Sequence, residues 1–263
     1  MTADPRPVGS PPLFAVDLPG AAVRFTTRLG GVSKGPYASL NLGIQTGDDT
    51  GRVVESRRLL SEATALGPKC VVIGHQVHGA EIARWDEAPA DAFTDANVAR
   101  AEVDGHVTAL PGLGLLVQVA DCLPVALAMP DAVAMVHCGW RGVAAGIVAR
   151  AVAELDAMSV RPGMPPAAPT AVVGPGIGRC CFEVGPEVIE VFADVPNVAD
   201  PPRGRGDGGL LDLRKVVEAR LRAAGVERVE HVDLCTHCRD DLFFSHRRDG
   251  GVTGRQAGIA WRT

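Results

Sequence analysis

Between Leu113 and Cys138 three apolar segments follow one another with little between them: LGLLVQVA (113–120), PVALAMP (124–130) and AVAMVHC (132–138). Segments this short and this apolar, bounded by turn residues, read as buried strands. Asp121-Cys122-Leu123 joins the first two, and Pro130-Asp131 makes a tight turn between the second and third. Links so short cannot hold a crossover helix, so the chain is not a simple βαβ alternation. The last of these strands ends on His137 and Cys138, followed by Gly-Trp-Arg-Gly.

The flanking pattern extends this core. Residues 1–20 read as a flexible lead-in to a single domain spanning 21–263, and Val23–Thr27 alternates as its first strand. A glycine-rich loop, RLGGVSKGPYASLNLG, comes next. Asp48-Asp49-Thr50 offers N-caps for a helix running to about Leu66, stopped by Gly67-Pro68. CVVIGHQVHG is a strand entering a polar turn, with EIARW expected as its antiparallel neighbour. Residues 87–101 are polar and Ala-rich, a surface excursion. Gly142 to Met158 has helical spacing, and 159–169 is a Pro-rich connector. TAVVGPG, VEHVDLCT and QAGIAW are later strands; GPEVIEVFAD and LDLRKVVEARLRAAG are helices, the second closed by Gly225. The fold class is α+β: one domain, a mixed sheet, helices outside.

Composition removes several functions. No stretch of the 263 residues is long enough to span a membrane, and the N-terminus lacks the apolar core of a signal peptide. A net charge of −5 leaves no footprint for sequence-independent nucleic-acid binding. Seven cysteines, an odd number without an export signal, fit a reduced cytoplasmic protein. Each is then core, metal ligand or nucleophile. No segment specifies an oligomeric state.

Polar residues gather at strand ends. His75 and His78 lie in HQVHG, Asp121 and Cys122 in VADCLPV, His137 in MVHCGW. If 113–120 and 132–138 share a sheet, Cys122 and His137 reach one cavity with a histidine of HQVHG. Two imidazoles and a thiolate with an open fourth position form the pattern of a catalytic zinc site. The plain alternative is three separately buried residues. On a strand His75 and His78 point to opposite faces, so one would ligate and the other, His75, would support from behind.

Other motifs fail on context. Ser33 in GVSKG lacks the strand-to-helix setting of a nucleophile elbow. GPGIG (174–178) either offers N–H groups to an anion or is a plain turn. Cys235-Thr236-His237-Cys238 has zinc-knuckle spacing, but Cys180-Cys181, the other close pair, is adjacent and awkward for one metal. The deaminase signature H-x-E with P-C-x-x-C is absent, as is H-E-x-x-H. FFSHRRDGGVTGR places Arg247, Arg248 and Arg255 among Gly and Asp, a composition suited to phosphate or carboxylate.

Taken in order, FTTRLGGVSKGPYASLNLG, HQVHG, ADCLPV, HCGWRG, GPGIGRCCFEVG and FFSHRRDGGVTGR resemble the laccase-domain family. This family was long called multicopper polyphenol oxidases (YfiH-like). Its members are read as purine nucleoside phosphorylases with some adenosine deaminase activity. The resemblance runs from about Val23 to Trp261. It implies mixed sheets in a layered α/β/β/α sandwich and a zinc site on His78, Cys122 and His137, with copper as a possible adventitious occupant. It also implies a small-molecule nucleoside and phosphate as substrates. Cys138 and His106 depart from the family pattern and take no role from it. With phosphorolysis as the leading reading, Arg28, Arg57 or Arg58, and Arg247 or Arg248 become candidate phosphate clamps, with Arg141 a further cationic candidate. Asn41 is a candidate for sugar or phosphate, and Asp121 for acid–base or supporting work beside Cys122. The rivals are a Cys/His hydrolase with Cys122 as nucleophile, suited to cell-wall peptide editing, a structural zinc protein and a copper-dependent phenol oxidase.

Overall fold

The computed structural model describes residues 9–88, 93–98, 100–159, 167–202 and 207–263. The strands run in chain order from β1 (Leu13–Leu18) and β2 (Ala21–Thr26), past helix α1 (Thr50–Thr64), to β3 (Val71–Ile73), β4 (Ile82–Trp85) and β5 (Gly105–Thr108). The apolar segments become β6 (Gly114–Val119), β7 (Leu123–Met129) and β8 (Ala132–Cys138). Helices α2 (Trp140–Ala144) and α3 (Ile147–Met158) follow, then β9 (Thr170–Val173), β10 (Glu183–Val184) and α4 (Pro186–Val191). The last elements are β11 (Ala199–Asp200), β12 (Gly209–Leu211), α5 (Leu213–Ala223), β13 (Arg228–His231) and β14 (Gln256–Arg262).

Two large mixed sheets carry the domain, ordered β1-β2-β14-β6-β3 and β13-β9-β7-β8-β5-β4, with a small sheet β10-β12-β11 beside them. Side-chain alternation along β7 and β8 assigns each face. Val125, Leu127, Ala134 and Val136 pack on α3 and α5 through Ile147, Leu155, Val216 and Leu221. Ala126, Ala128, Val133 and Met135 point the other way and meet Phe25, Leu115, Val117 and Ala260 of the five-stranded sheet. The far face of that sheet presents Leu116 and Ile259 to Leu60 of α1. The result is the layered α/β/β/α sandwich, one domain with both sheets covered. Among the described residues no helix is long and apolar enough to cross a membrane.

Four local expectations are corrected. Leu13–Leu18, inside the expected lead-in, is strand β1, paired along its length with β2 because Phe14 and Leu18 bury on the inter-sheet core. EIARW does not pair with the CVVIG strand; β4 lies parallel to β5 in the other sheet. The segment Gly142–Met158 is two helices, interrupted at Gly146, whose φ of 88° a residue with a Cβ rarely adopts. Most consequential, 113–120 and 132–138 do not share a sheet: β6 is in one, β7 and β8 in the other. Asp121-Cys122 is therefore the corner at which the chain crosses from one layer to the other. Much of the Pro-rich connector, 160–166, and residues 203–206 lie outside the described residues, as do 89–92 and 99 of the polar excursion.

Candidate metal centre and active site

The crossing at Asp121-Cys122 and the end of β8 open onto one cavity of about 540 Å³. The donor atoms of His78, Cys122 and His137 lie within 4.8 Å of one another there. His78 Nε2 is 3.9 Å from Cys122 Sγ, and the two imidazoles meet edge to face with centroids 4.8 Å apart. Three N and S donors this close, on one side of a cavity, form a set that could hold a metal ion.

Asp104, at the entry to β5, organises this set, and sequence reasoning missed it. Its carboxylate is fully buried. Oδ1 accepts from His137 Nδ1 at 2.7 Å and from the His78 backbone N–H at 3.0 Å. Oδ2 accepts from the N–H groups of Gly79 at 2.7 Å and Val77 at 3.1 Å. One carboxylate thus turns the His137 ring so that Nε2 faces the cavity, and fixes the turn carrying His78. That turn needs fixing: His78 has φ 60°, and Asp121 has φ 91°, both in the region that favours glycine. Burial would raise the Asp104 carboxyl, but His137 and the N–H groups of Gly79 and Val77 hold it below its ordinary value. Burial likewise opposes the Cys122 thiolate, yet His137 and His78 bring its pKa down to about 6. Against the same burial, Cys122 and Asp104 raise His137 to about 9. These shifts describe a thiolate facing imidazolium, the charge pattern of a soft cation site when the cation is a proton.

The glycines of HCGWRG have steric reasons. A Cβ on Gly139 would lie 2.9 Å from His78 Cδ2 and 3.1 Å from Cys122 Sγ; one on Gly142 would lie 2.7 Å from the Gly79 carbonyl oxygen. Gly139→Ala should therefore spread the donor set while leaving the three apolar cores intact. Metal affinity is expected to fall by about 10–100-fold, as for loss of an orienting partner, with thermal unfolding little changed. Competition with a chromophoric chelator and a melting curve would check the pair; an unchanged affinity would show that the ligands tolerate the methyl.

Both His75 and His78 line the cavity, because the chain leaves the strand at Ile73 and the opposite-faces expectation applies only to a strand. His75 Nδ1 lies 3.2 Å from Gln45 Nε2. Asp121 also lines the cavity, but both carboxylate oxygens are occupied: Oδ1 accepts from Thr236 Oγ1 and Oδ2 from the Arg247 N–H, each at 2.7 Å. It positions the corner and the 245–248 loop.

The cationic lining is only partly the set expected. Arg57, Arg141 and Arg247 line the cavity, joined by Arg255 of the FFSHRRDGGVTGR cluster and by Arg100, which the sequence did not single out. Arg141 lies over the Trp140 ring at 4.4 Å and Arg247 over Phe182 at 5.6 Å. Arg57 is buried and spends its donors on the carbonyls of Leu42 and Phe93; burial and Arg100 lower it to about 9. It adds field more than contact. Of the alternatives, Arg57 rather than Arg58 and Arg247 rather than Arg248 reach this cavity; Arg28, Arg58, Arg248 and Asn41 lie outside its lining and have protein partners. Arg58 pairs with Glu55 and Glu62 on the exposed face of α1. Arg248 donates to the carbonyls of Thr236 and Phe243 and pairs with Asp249. Arg28 donates to the carbonyls of Ala38 and Asp240. Asn41 is buried, with Thr46, Asp48 and the Arg255 N–H as partners. GPGIG is an extended link, bridged at Gly176 to Cys235, and offers an anion no free donor: the N–H groups of Gly174, Gly176, Ile177 and Gly178 all have partners.

The two departures from the family pattern sit away from the donors. Cys138 is in the helix-side core, where burial pushes its thiol up. His106 is fully buried against Trp85, whose Nε1–H donates to its Nδ1 at 3.2 Å, while its Nε2 has no partner. Burial lowers it to about 4 against the pull of Asp104. Because the folded pKa lies below the unfolded value near 6.5, the unfolded chain binds the extra proton between those two values. His106 therefore costs stability as pH falls through that window, up to about 3 kcal/mol. His106→Leu should leave stability at pH 7 close to wild type and flatten the acid limb between pH 6.5 and 4. Urea unfolding at both ends of the window would show it; parallel curves for the two proteins would mean that His106 is protonated in the fold.

The family whose model is described as multi-copper polyphenol oxidoreductase laccase matches residues 22–263. The chain belongs to that family. Among curated relatives, "Purine nucleoside phosphorylase YlmD" of Geobacillus stearothermophilus is 38% identical over 97% of this chain and 93% of its own. "Purine nucleoside phosphorylase SCO2081" of Streptomyces coelicolor is 41% identical over 92% of this chain and 96% of its own. The crystal structure of YlmD superposes with a TM-score of 0.82 at 36% identity, covering 92% of both chains. That of the Bacillus licheniformis hypothetical protein YfiH superposes with a TM-score of 0.88 at 32% identity, covering 98% of this chain and 99% of its own.

Proposed function

We propose that this protein is a zinc-dependent purine nucleoside phosphorylase, converting adenosine, inosine or related nucleosides and phosphate to free base and ribose 1-phosphate. The observation that carries the reading is one cavity lined both by the His78–Cys122–His137 donor set and by Arg100, Arg141, Arg247 and Arg255. Its volume, about 540 Å³, suits a small-molecule substrate. The names of the family relatives support the same class.

The chemistry needs an anion beside the anomeric carbon and a stabilised, positively charged sugar in the transition state. A phosphate oxygen forms the new C–O bond as the C–N bond to the purine breaks, and a proton must reach the leaving base. Fixed guanidiniums hold phosphate without reorganisation at the moment of reaction. Trp140 and Phe182, each with an arginine over its ring, give aromatic faces at the cavity wall. Nitrogen and sulfur donors of this kind suit zinc better than a hard cation. Bound there by His78, Cys122 and His137, zinc would supply Lewis acidity toward phosphate, or toward water for a deaminase side activity.

Chromatography of adenosine incubated with zinc-loaded protein, with and without phosphate, tests the reading. Adenine formed only with phosphate is the expected result, and inosine in either sample adds deamination. A second reading, hydrolysis by Cys122 as nucleophile, draws on its thiol pKa of about 6. It requires activity in metal-free protein and covalent trapping of Cys122, and no adenine from the metal-loaded protein would favour it.

A further inference from the structure

A second constellation lies outside the cavity. β9 and β13 run parallel as neighbours, so the segments leaving them, 174–181 and 232–238, emerge side by side; Gly176 and Cys235 form a parallel bridge. The topology thus joins the adjacent pair Cys180-Cys181 to the pair Cys235 and Cys238, about sixty residues away in sequence. We propose that Cys180, Cys181, Cys235 and Cys238 form a second metal centre, a tetrathiolate that binds zinc and ties these two loops together.

All four sulfurs lie within 4.8 Å of one another. Cys238 Sγ is 3.6 Å from Cys180 Sγ and 3.4 Å from Cys181 Sγ. Sulfurs around a tetrahedral zinc at 2.3 Å stand about 3.8 Å apart, so these are near the edges of such a tetrahedron. The same numbers speak against a disulfide, in which one sulfur would leave the group to sit about 2 Å from a single partner. Adjacent cysteines, awkward on a strand, share one side here because Gly178–Cys181 is a turn, with the Cys181 N–H donating to the Gly178 carbonyl at 2.9 Å. The Gly178 N–H in turn points at Cys235 Sγ, 3.1 Å away, the kind of N–H···S contact that favours a ligating thiolate. Gly178 has no Cβ to spare: one would lie 3.1 Å from Cys180 Sγ and 3.2 Å from Cys235 Cβ. Cys180 and Cys238 are exposed, so an ion has a way in.

The loops so joined carry parts of the cavity. The Ile177 N–H donates to the Asp121 carbonyl and Thr236 Oγ1 to its carboxylate, each at 2.7 Å. A tetrathiolate would brace the corner that presents Cys122 from behind. It would be a structural centre, with all four positions filled by protein and none left for substrate.

Native mass spectrometry of the full chain, made with zinc and kept reduced, tests this without reference to turnover. Two zinc ions per chain are expected in the wild type, one in Cys122→Ala, and one in Cys235→Ser/Cys238→Ser with a lowered thermal midpoint. One zinc in the wild type, unchanged in the double variant, would overturn the proposal. If the double variant does not fold, cobalt(II) titration of the wild type decides. A second equivalent with the intense charge-transfer absorption of several thiolates supports the centre, and absorption from a single thiolate ligand alone refutes it.

Discussion

Cys122→Ala is expected to lose the cavity metal and, with it, adenosine phosphorolysis, by at least about 10³-fold, since Lewis-acid stabilisation of this kind is worth several kcal/mol. Cys122 is the only anionic donor in the set, its thiol lowered to about 6 by the two imidazoles it faces. Without it two neutral histidines remain, too few to hold zinc at working concentrations. The fold should survive, because Cys122 lies at the corner between the sheets rather than in any of the three apolar cores. Metal analysis, product chromatography and a melting curve read the three claims separately. Zinc retained with full activity would remove Cys122 from the site. Zinc lost with activity intact would separate the chemistry from the metal. Cys122→Ser, which keeps the size but offers a harder and far less acidic donor, should recover little.

His78, Cys122 and His137 drew attention in the sequence because histidine and cysteine are unusual at the ends of apolar strands. Spacing alone left separate burial open, and only the family resemblance singled out these three; the structure brings them within reach of one ion. The strands β6 to β8 were legible directly, their apolar runs being too short for helices. The reason offered for their convergence was nevertheless incorrect. Cys122 reaches His137 because the chain changes sheets at Asp121, not because 113–120 and 132–138 share one. Arginine was the least legible residue. Arg57 and Arg58 are neighbours on one helix, yet one is buried at the cavity and the other pairs with glutamates in solvent. A guanidinium serves a carbonyl, a carboxylate or a ligand equally well, so only the surroundings distinguish them. The adjacent pair Cys180-Cys181, awkward for one metal by spacing, shares one side only because Gly178–Cys181 turns, which the sequence does not announce.

Asp104 was invisible for a different reason: in VDGH it reads as any turn aspartate, and its partners lie 25–33 residues away. Its substitution carries the second large expected effect. In Asp104→Asn the amide keeps the shape but presents N–H where it must accept, and every neighbour is a donor: His137 Nδ1 and the N–H groups of Val77, His78 and Gly79. One side of the group is left with donor facing donor in a fully buried setting. The His137 proton no longer has a carboxylate to hold it on Nδ1, and the positive-φ turn at His78 loses part of its anchorage. Zinc affinity should fall by about 10–100-fold, the usual cost of losing the carboxylate behind a ligating histidine. Raised zinc should restore much of the phosphorolysis, unlike in Cys122→Ala, because all three donors are still present. Activity measured across a zinc titration separates the two variants. A rate in Asp104→Asn that stays low at saturating zinc would show that the carboxylate does more than orient His78 and His137.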